Sequence, residues 1–376
     1  MLNVLITGGA GFIGSSLSEA LANRGYTVTI LDSLSTQIHG TEPLKSNLYN
    51  RASKVASIIQ GSVTNYDDWK EAIKGQEVVV HLAAETGTGQ SMYEIEKYMN
   101  VNVQGTSILL NILANEEHTI NKIIVASSRA IYGEGRYKKG SSDVYPVARK
   151  EEDLSSGDFE CKCPVTEDAV ELTSTDENST VHPTSIYGIS KQTQEELVMV
   201  AGEALGINTF GLRYQNVFGP GQSLTNPYTG ILSIFSTLLL NGRDVNIFED
   251  GKESRDFVYI DDAVDATVKC IESTLQGSYA LNVGSGRAID VLTVASLLKK
   301  AYSSSGNLNI TGNYRVGDIR HNYADLTKIK NLLGFEPRVS FEEGLSFFTD
   351  WVKGEELASS EFDSSIEEMK TKGLFK

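Results

Sequence analysis

Apolar positions in the first third of the chain fall in short unbroken runs separated by amphipathic stretches. Leu2-Asn3-Val4-Leu5-Ile6 reads as a buried strand, and Phe12 to Arg24 spaces its apolar residues at helical intervals. Further strand-like runs occur at Tyr26–Leu31, Val55–Gln60, Glu77–Leu82 and Lys122–Ala126, with helical patterns at Tyr66–Lys74 and Tyr93–Asn115. Strands that alternate with helices predict an α/β fold, a doubly wound parallel sheet with helices on both faces. The rhythm breaks at Glu134–His182, a stretch rich in Glu, Asp, Ser and Thr that reads as a long surface insertion. It resumes with a helix at Ser185–Leu205 and a strand at Asn208–Tyr214. Beyond Phe218 the elements shorten, which predicts a first domain over 1–217 and a smaller mixed α/β lobe over 218–376. A return of the chain into the first domain is compatible with that division. The polar stretch Glu355–Lys376 reads as an appendage to a helix at Phe341–Lys353.

The first strand runs into Thr7-Gly8-Gly9-Ala10-Gly11-Phe12-Ile13-Gly14. A strand that turns through spaced glycines into a helix is the form of a dinucleotide-binding turn, and the fold is expected to be Rossmann-type. Gly8 permits the tight turn, Gly11 lets backbone approach a pyrophosphate, and Gly14 lets helix and strand pack closely. A glycine turn that serves packing alone is the competing reading. The second strand ends in Asp32, about twenty residues on, where a carboxylate accepts hydrogen bonds from ribose hydroxyls. Asp32 repels a 2′-phosphate and Ser33-Leu34-Ser35 offers no cation to receive one, so NAD is favoured over NADP.

Composition narrows the partners. The 376 residues carry 33 basic against 49 acidic side chains, a formal charge of −16, which argues against nucleic acid as a partner. Of the cysteines, Cys161 and Cys163 stand in Cys161-Lys162-Cys163-Pro164 without a second ligand pair at zinc spacing, so no metal is expected. The longest apolar run, Ile231–Leu240, falls short of a membrane span. The chain starts inside its first strand, which leaves no room for a signal peptide, and a soluble cytoplasmic protein is expected.

Tyr187 and Lys191 stand four residues apart, on one helical face. An ammonium near a phenol lowers its pKa and makes the phenolate a usable base near neutrality. Tyr66…Lys70 and Tyr93…Lys97 share the spacing. Tyr187 differs by opening the helix after the fifth strand, whose end carries Ser127-Ser128-Arg129-Ala130.

Along essentially its whole length the chain resembles the extended short-chain dehydrogenases/reductases of the nucleotide-sugar epimerase/dehydratase group. The landmarks stand in that family's order. They are the glycine turn, His81-Leu82-Ala83-Ala84, Asn102-Val103-Gln104-Gly105-Thr106, Ser127-Ser128…Tyr132-Gly133 and Tyr187…Lys191. Arg213-Tyr214-Gln215-Asn216-Val217-Phe218-Gly219-Pro220, Arg255-Asp256-Phe257-Val258 and Gly317-Asp318…Ala324-Asp325 complete them. The resemblance implies Tyr187 as the base, Ser128 assisting it, and Lys191 holding the nicotinamide ribose. It implies NAD contacts from Gly8, Gly11, Phe12, Ile13, Gly14, Asp32, Val63, Leu82, Ala83, Ala84, Asn102, Tyr187 and Lys191. The family usually has Asp where this chain has Ser62, whose hydroxyl can still reach adenine. Substrate contacts map to Ser128, Asn216, Arg255 and Arg315, the arginines clamping a diphosphate, with Arg320 a further candidate. Asn322 falls where some hexose epimerases carry a bulky Tyr.

Dehydratases of the group follow the site Ser or Thr with Asp-Glu; this chain has Arg129-Ala130, so the elimination machinery is missing. Reversible oxidation with return of the hydride to the opposite face, a 4-epimerisation, is what the resemblance implies. Gly89–Glu94, Asn226–Gly230, Tyr314–His321 and the insertion are similar to bacterial dTDP-L-rhamnose 4-epimerases, which interconvert dTDP-L-rhamnose and dTDP-6-deoxy-L-talose for surface polysaccharides. UDP-hexose 4-epimerases stand beside them as the alternative. A homodimer is also expected from the resemblance. A non-catalytic NAD-binding sensor or scaffold is the reading from another class, and the intact Ser128, Tyr187 and Lys191 argue for the enzyme.

Overall fold

The computed structural model describes residues 2–224, 226, 230–315, 317–355 and 362–376, without the side chains of 362–365. Pro227-Tyr228-Thr229 and Val316, within the phrases quoted above, lie outside the described residues, as does 356–361 of the terminal stretch.

Seven parallel strands form the central sheet: β1 (Asn3–Thr7), β2 (Thr27–Asp32), β3 (Ser57–Gln60), β4 (Val78–His81), β5 (Lys122–Ser128), β6 (Asn208–Tyr214) and β7 (Ser278–Val283). Their spatial order is 7-6-5-4-1-2-3, all pairs parallel. The order reverses between β1 and β4, and in such sheets the crevice beyond that reversal takes the ligand. Val4, Leu5, Ile6, Val79 and Val80 are fully buried, as a strand covered on both faces requires. Around the sheet lie helices α1 (Phe12–Asn23), α2 (Tyr66–Ala72), α3 (Gly105–Asn115), α4 (Ile186–Leu205), α5 (Ile231–Leu240) and α6 (Ile260–Glu272). Helices α7 (Val291–Tyr302), α8 (Phe341–Lys353) and α9 (Phe362–Thr371) follow. α6 packs on α1 and is tied to β5, where Lys122 Nζ donates to the carbonyls of Cys270 and Ile271 at the helix end. Thus β7 and α6 bring residues beyond 217 into the first lobe.

Three expectations are corrected. The helical pattern of Tyr93–Asn115 is interrupted: Ile95–Tyr98 leads through a π-helical turn, Met99–Gln104, into α3. That turn rotates Asn102 into the interior, where it is fully buried. The 134–182 segment is not a surface loop. It contributes a three-stranded antiparallel sheet, Tyr137–Lys139, Ser142–Val144 and Glu171–Leu172, and buries Glu134, Tyr137, Cys161 and Thr175. The terminal stretch is not a mere appendage of α8. Tyr314 and Lys376 exchange backbone hydrogen bonds of 2.9 and 3.1 Å, and Phe375 packs edge-on against Phe248.

Candidate active site

The cofactor end of the crevice is made of backbone. Gly8 has φ +67°, and a Cβ there would lie 2.8 Å from the Ala83 nitrogen, so the turn presses on the Leu82–Ala84 segment. At Gly14 a Cβ would lie 2.4 Å from Gly8 O and 2.5 Å from Gly9 Cα. At Gly11 it would meet only Gly8 O, at 3.2 Å, which leaves that face of the turn open. Gly11 caps α1 without a side-chain bond and the first turn has no acidic residue, so the N–H groups that Phe12, Ile13 and Gly14 present are available to an anion. Asp32 closes the other side, accepting from the Ala10 and Leu34 nitrogens at 2.9 Å each. These residues fit a dinucleotide: an uncapped helix end for the pyrophosphate and a carboxylate for a ribose. Ser62 is partly exposed at the end of β3, its hydroxyl paired with Thr64. Val63 is buried, receives the Trp69 indole N–H and packs against Gly105. Asn102 departs from the expectation. Its carboxamide accepts from Glu85 N and donates to Glu85 O and Ser190 Oγ, so it pins the loop after β4 to α4 rather than facing the crevice.

The reacting groups meet where α4 begins. Ser185 caps α4 by accepting from Gly188 N, and Gly188 lets the helix approach the turn after β5, since a Cβ there would be 2.7 Å from Ala130 O. The buried Arg213–Glu195 pair, with Nη2–Oε1 at 2.6 Å, locks α4 onto β6, and Arg213 also donates to the Tyr132 hydroxyl. This framework brings Tyr187 to Ser128. Burial raises the Tyr187 phenol, while a hydrogen bond with Ser128 and the charge of Arg129 oppose the rise. The cation whose charge acts on the phenol is Arg129. Lys191 is buried and donates to Gln194 Oε1 at 2.5 Å, and burial pushes its ammonium down to about 7. Gln194 continues through Thr106 to His81 and Thr7, a polar thread from α4 to the glycine turn. The other two Tyr–Lys pairs lie apart from this site: Tyr66 and Lys70 both bind Glu116, and Tyr93 donates to Glu368.

A cavity of about 280 Å³ opens from Tyr187, lined by Arg129, Asn216, Phe248, Glu253, Arg255, Arg315 and Asp318 among others. Arg315 lies over the Phe248 ring, 4.9 Å from its centroid, with a buried Nε that has no partner. Arg255 reaches the cavity too, but its Nη atoms donate to the carbonyls of Ser254, Ile319 and Arg320 and to Asp318. Arg320 is corrected as a substrate contact. Its side chain is fully buried and paired with Glu160, Glu249 and Asp250, so it joins the insertion to the second lobe. Asn322 is likewise enclosed, near Thr175 and Gly135 of the insertion, and does not line the cavity. Sequence reasoning missed Arg129, Phe248, Met369 and Leu374 as lining residues. For Met369 and Leu374 no local signal exists, because only tertiary pairing of the C-terminus brings them there.

The family model described as NAD dependent epimerase/dehydratase matches residues 4–284. The chain is 36% identical, over 94% of its length and 95% of the relative's, to dTDP-L-rhamnose 4-epimerase of Burkholderia thailandensis. A putative UDP-glucose 4-epimerase of Methanocaldococcus jannaschii is 30% identical, over 93% and 98% of the two chains. Among solved structures, the UDP-glucose 4-epimerase of Thermotoga maritima with UDP-glucose superposes with a TM-score of 0.76. It is 29% identical, covering 94% of this chain and 99% of that one. The chain belongs to the NAD-dependent epimerase/dehydratase family; it is an enzyme and NAD is its cofactor.

Proposed function

We propose that the enzyme inverts the C4 configuration of a nucleotide-diphospho-sugar, with dTDP-L-rhamnose and dTDP-6-deoxy-L-talose as the substrate pair. One observation carries the reaction type. The cavity is lined by Tyr187, whose phenol Ser128 hydrogen-bonds, and by Arg315 over Phe248, and Arg129-Ala130 stand where a dehydratase needs its acid and base. NAD, held by Gly8, Gly11, Phe12, Ile13, Gly14 and Asp32, supplies reversible hydride transfer at the carbinol carbon when bound. Tyr187 takes the proton of the 4-hydroxyl as that carbon becomes a ketone. Ser128 shares the phenol's hydrogen bond and holds the same oxygen. The sugar then turns and presents its opposite face, and Tyr187 returns the proton. Asn216 and Arg315 keep the nucleotide anchored during the turn against a wall that Arg255 braces, and Lys191 is the residue set to hold the nicotinamide ribose.

The likeness to the Burkholderia enzyme supports the rhamnose pair. The likeness to the Thermotoga and Methanocaldococcus proteins favours a UDP-hexose as the second reading. NMR of the purified protein with dTDP-L-rhamnose, UDP-glucose and UDP-N-acetylglucosamine, without added NAD, tests the choice. Conversion of dTDP-L-rhamnose is expected. Faster conversion of a UDP-sugar would replace the first reading with the second. Retained NAD with no sugar converted would point to a sensor or scaffold.

A further inference from the structure

Arg129, Arg255 and Arg315 face one cavity, and their commitments differ. The Nη atoms of Arg255 are used up by three carbonyls and Asp318, which makes it part of the wall. Arg315 rests on Phe248, its buried Nε without a partner. Arg129 springs from the turn directly after Ser128, so its guanidinium shares the reacting end with Tyr187. Its Nε donates to Asn216 Oδ1 at 2.8 Å, which fixes the plane of the fork. Among the described residues no carboxylate stands within ion-pairing distance of it. A guanidinium has five N–H donors, and one is spent here.

A desolvated cation without a counter-ion is costly unless a ligand supplies the charge. Burial, and then the like charge of Arg255, push Arg129 down to about 10, consistent with a cation left uncompensated. A sugar hydroxyl would satisfy a donor but not the charge. A phosphate oxygen does both, and a planar fork matches it.

We infer that Arg129 is a substrate-binding residue that grips the sugar-proximal phosphate of the nucleoside diphosphate, while Arg315 holds the rest of the nucleotide. The inference rests on the nucleotide-sugar reading above. It gives Arg129 a second consequence: the cation that holds the phosphate also stands beside the Tyr187 phenol, so substrate grip and base are set by one side chain.

Calorimetric titration of the NAD-loaded protein with dTDP and dTMP, and in parallel with UDP and UMP, tests this. Wild type is expected to prefer the diphosphate of the accepted base. Arg129→Gln should weaken diphosphate binding about tenfold or more, the size of a lost charge-assisted bond, and leave the monophosphate within twofold of wild type. Unchanged monophosphate affinity also shows that the variant is folded. Arg315→Gln should weaken both nucleotides, and Arg129→Lys should recover part of the diphosphate affinity. Equal weakening of both nucleotides by Arg129→Gln, or of neither, would overturn the inference. Failure of wild type to bind any of the nucleotides would instead overturn the nucleotide-sugar reading, and the inference with it.

Discussion

At the cofactor end of the crevice the glycine turn presents main chain, residues 8–14 pressed against 82–83, with the Asp32 carboxylate closing its side. At the substrate end it is side chain, drawn from positions as far apart as Arg129, Arg255, Arg315 and Met369. The first end is specified by what is missing, since a Cβ at Gly8 or Gly14 collides with backbone that has nowhere to go. The second is specified by which charges are already paired. Arg320, Arg255 and Arg315 look alike in the sequence, and the structure separates them by partner: carboxylates, carbonyls with one carboxylate, and an aromatic ring. A main-chain site is thus readable locally, and a side-chain site only once long-range pairing is known.

The largest expected effect separates chemistry from both kinds of binding. Tyr187→Phe should lower turnover by about 10²–10⁴, the usual contribution of a positioned acid–base group, with NAD retention unchanged. Tyr93→Phe, which removes a bond to Glu368, should lack that effect. Steady-state assays beside an absorbance spectrum of bound cofactor check the pair.

Arg320→Met probes the assignment of buried charge to scaffold. It removes a buried partner from Glu249, which keeps Arg149, and from Asp250, and breaking such a buried pair costs up to about 3–5 kcal/mol. Denaturant unfolding should show that loss, whereas Arg315→Ala should raise KM with a smaller change in stability. The reverse pattern would exchange their roles.

Two glycines divide the cofactor end. Gly14→Ala should destabilise by about 1–3 kcal/mol through overpacking and lose NAD as well. Gly11→Ala, whose Cβ meets little protein, should lose NAD affinity while the cofactor-free melting temperature holds.

The smallest effect concerns Lys191. Its ammonium is held at about 7 in the folded protein, below the ordinary 10.5, so between those values the unfolded chain binds the extra proton. Stability of the cofactor-free protein from this group therefore rises with pH across that window, and the penalty is greatest below it. Lys191→Met should raise the melting temperature of the cofactor-free protein more at about pH 6 than at about pH 9.5.

The strands of the sheet and the glycine turn were legible because their signals are local: apolar runs of strand length and glycines at fixed offsets. The π-turn at Met99–Gln104 was hidden, since one extra residue in a helical turn barely disturbs the apolar spacing of Tyr93–Asn115. The folding of 134–182 was hidden for another reason. Its interior is polar, with Glu134 and Arg149 paired to each other and Arg149 to Glu249, a hundred residues away. Polar burial leaves no hydrophobic period to read. Asn102 and Lys191 were found as important positions, but their partners, Ser190 and Gln194, give the geometry that spacing alone does not.

The central claim is epimerisation at C4 through a ketone, with Tyr187 moving the proton and the hydrogen on carbon conserved. Substrate deuterated at C4, incubated with the purified enzyme in ordinary water and without added NAD, tests it most directly. The account predicts that NMR finds the label still at C4 in the inverted product. Label lost to solvent, with deprotonation beside a carbonyl as its route, would contradict the account even with fold and cofactor site intact.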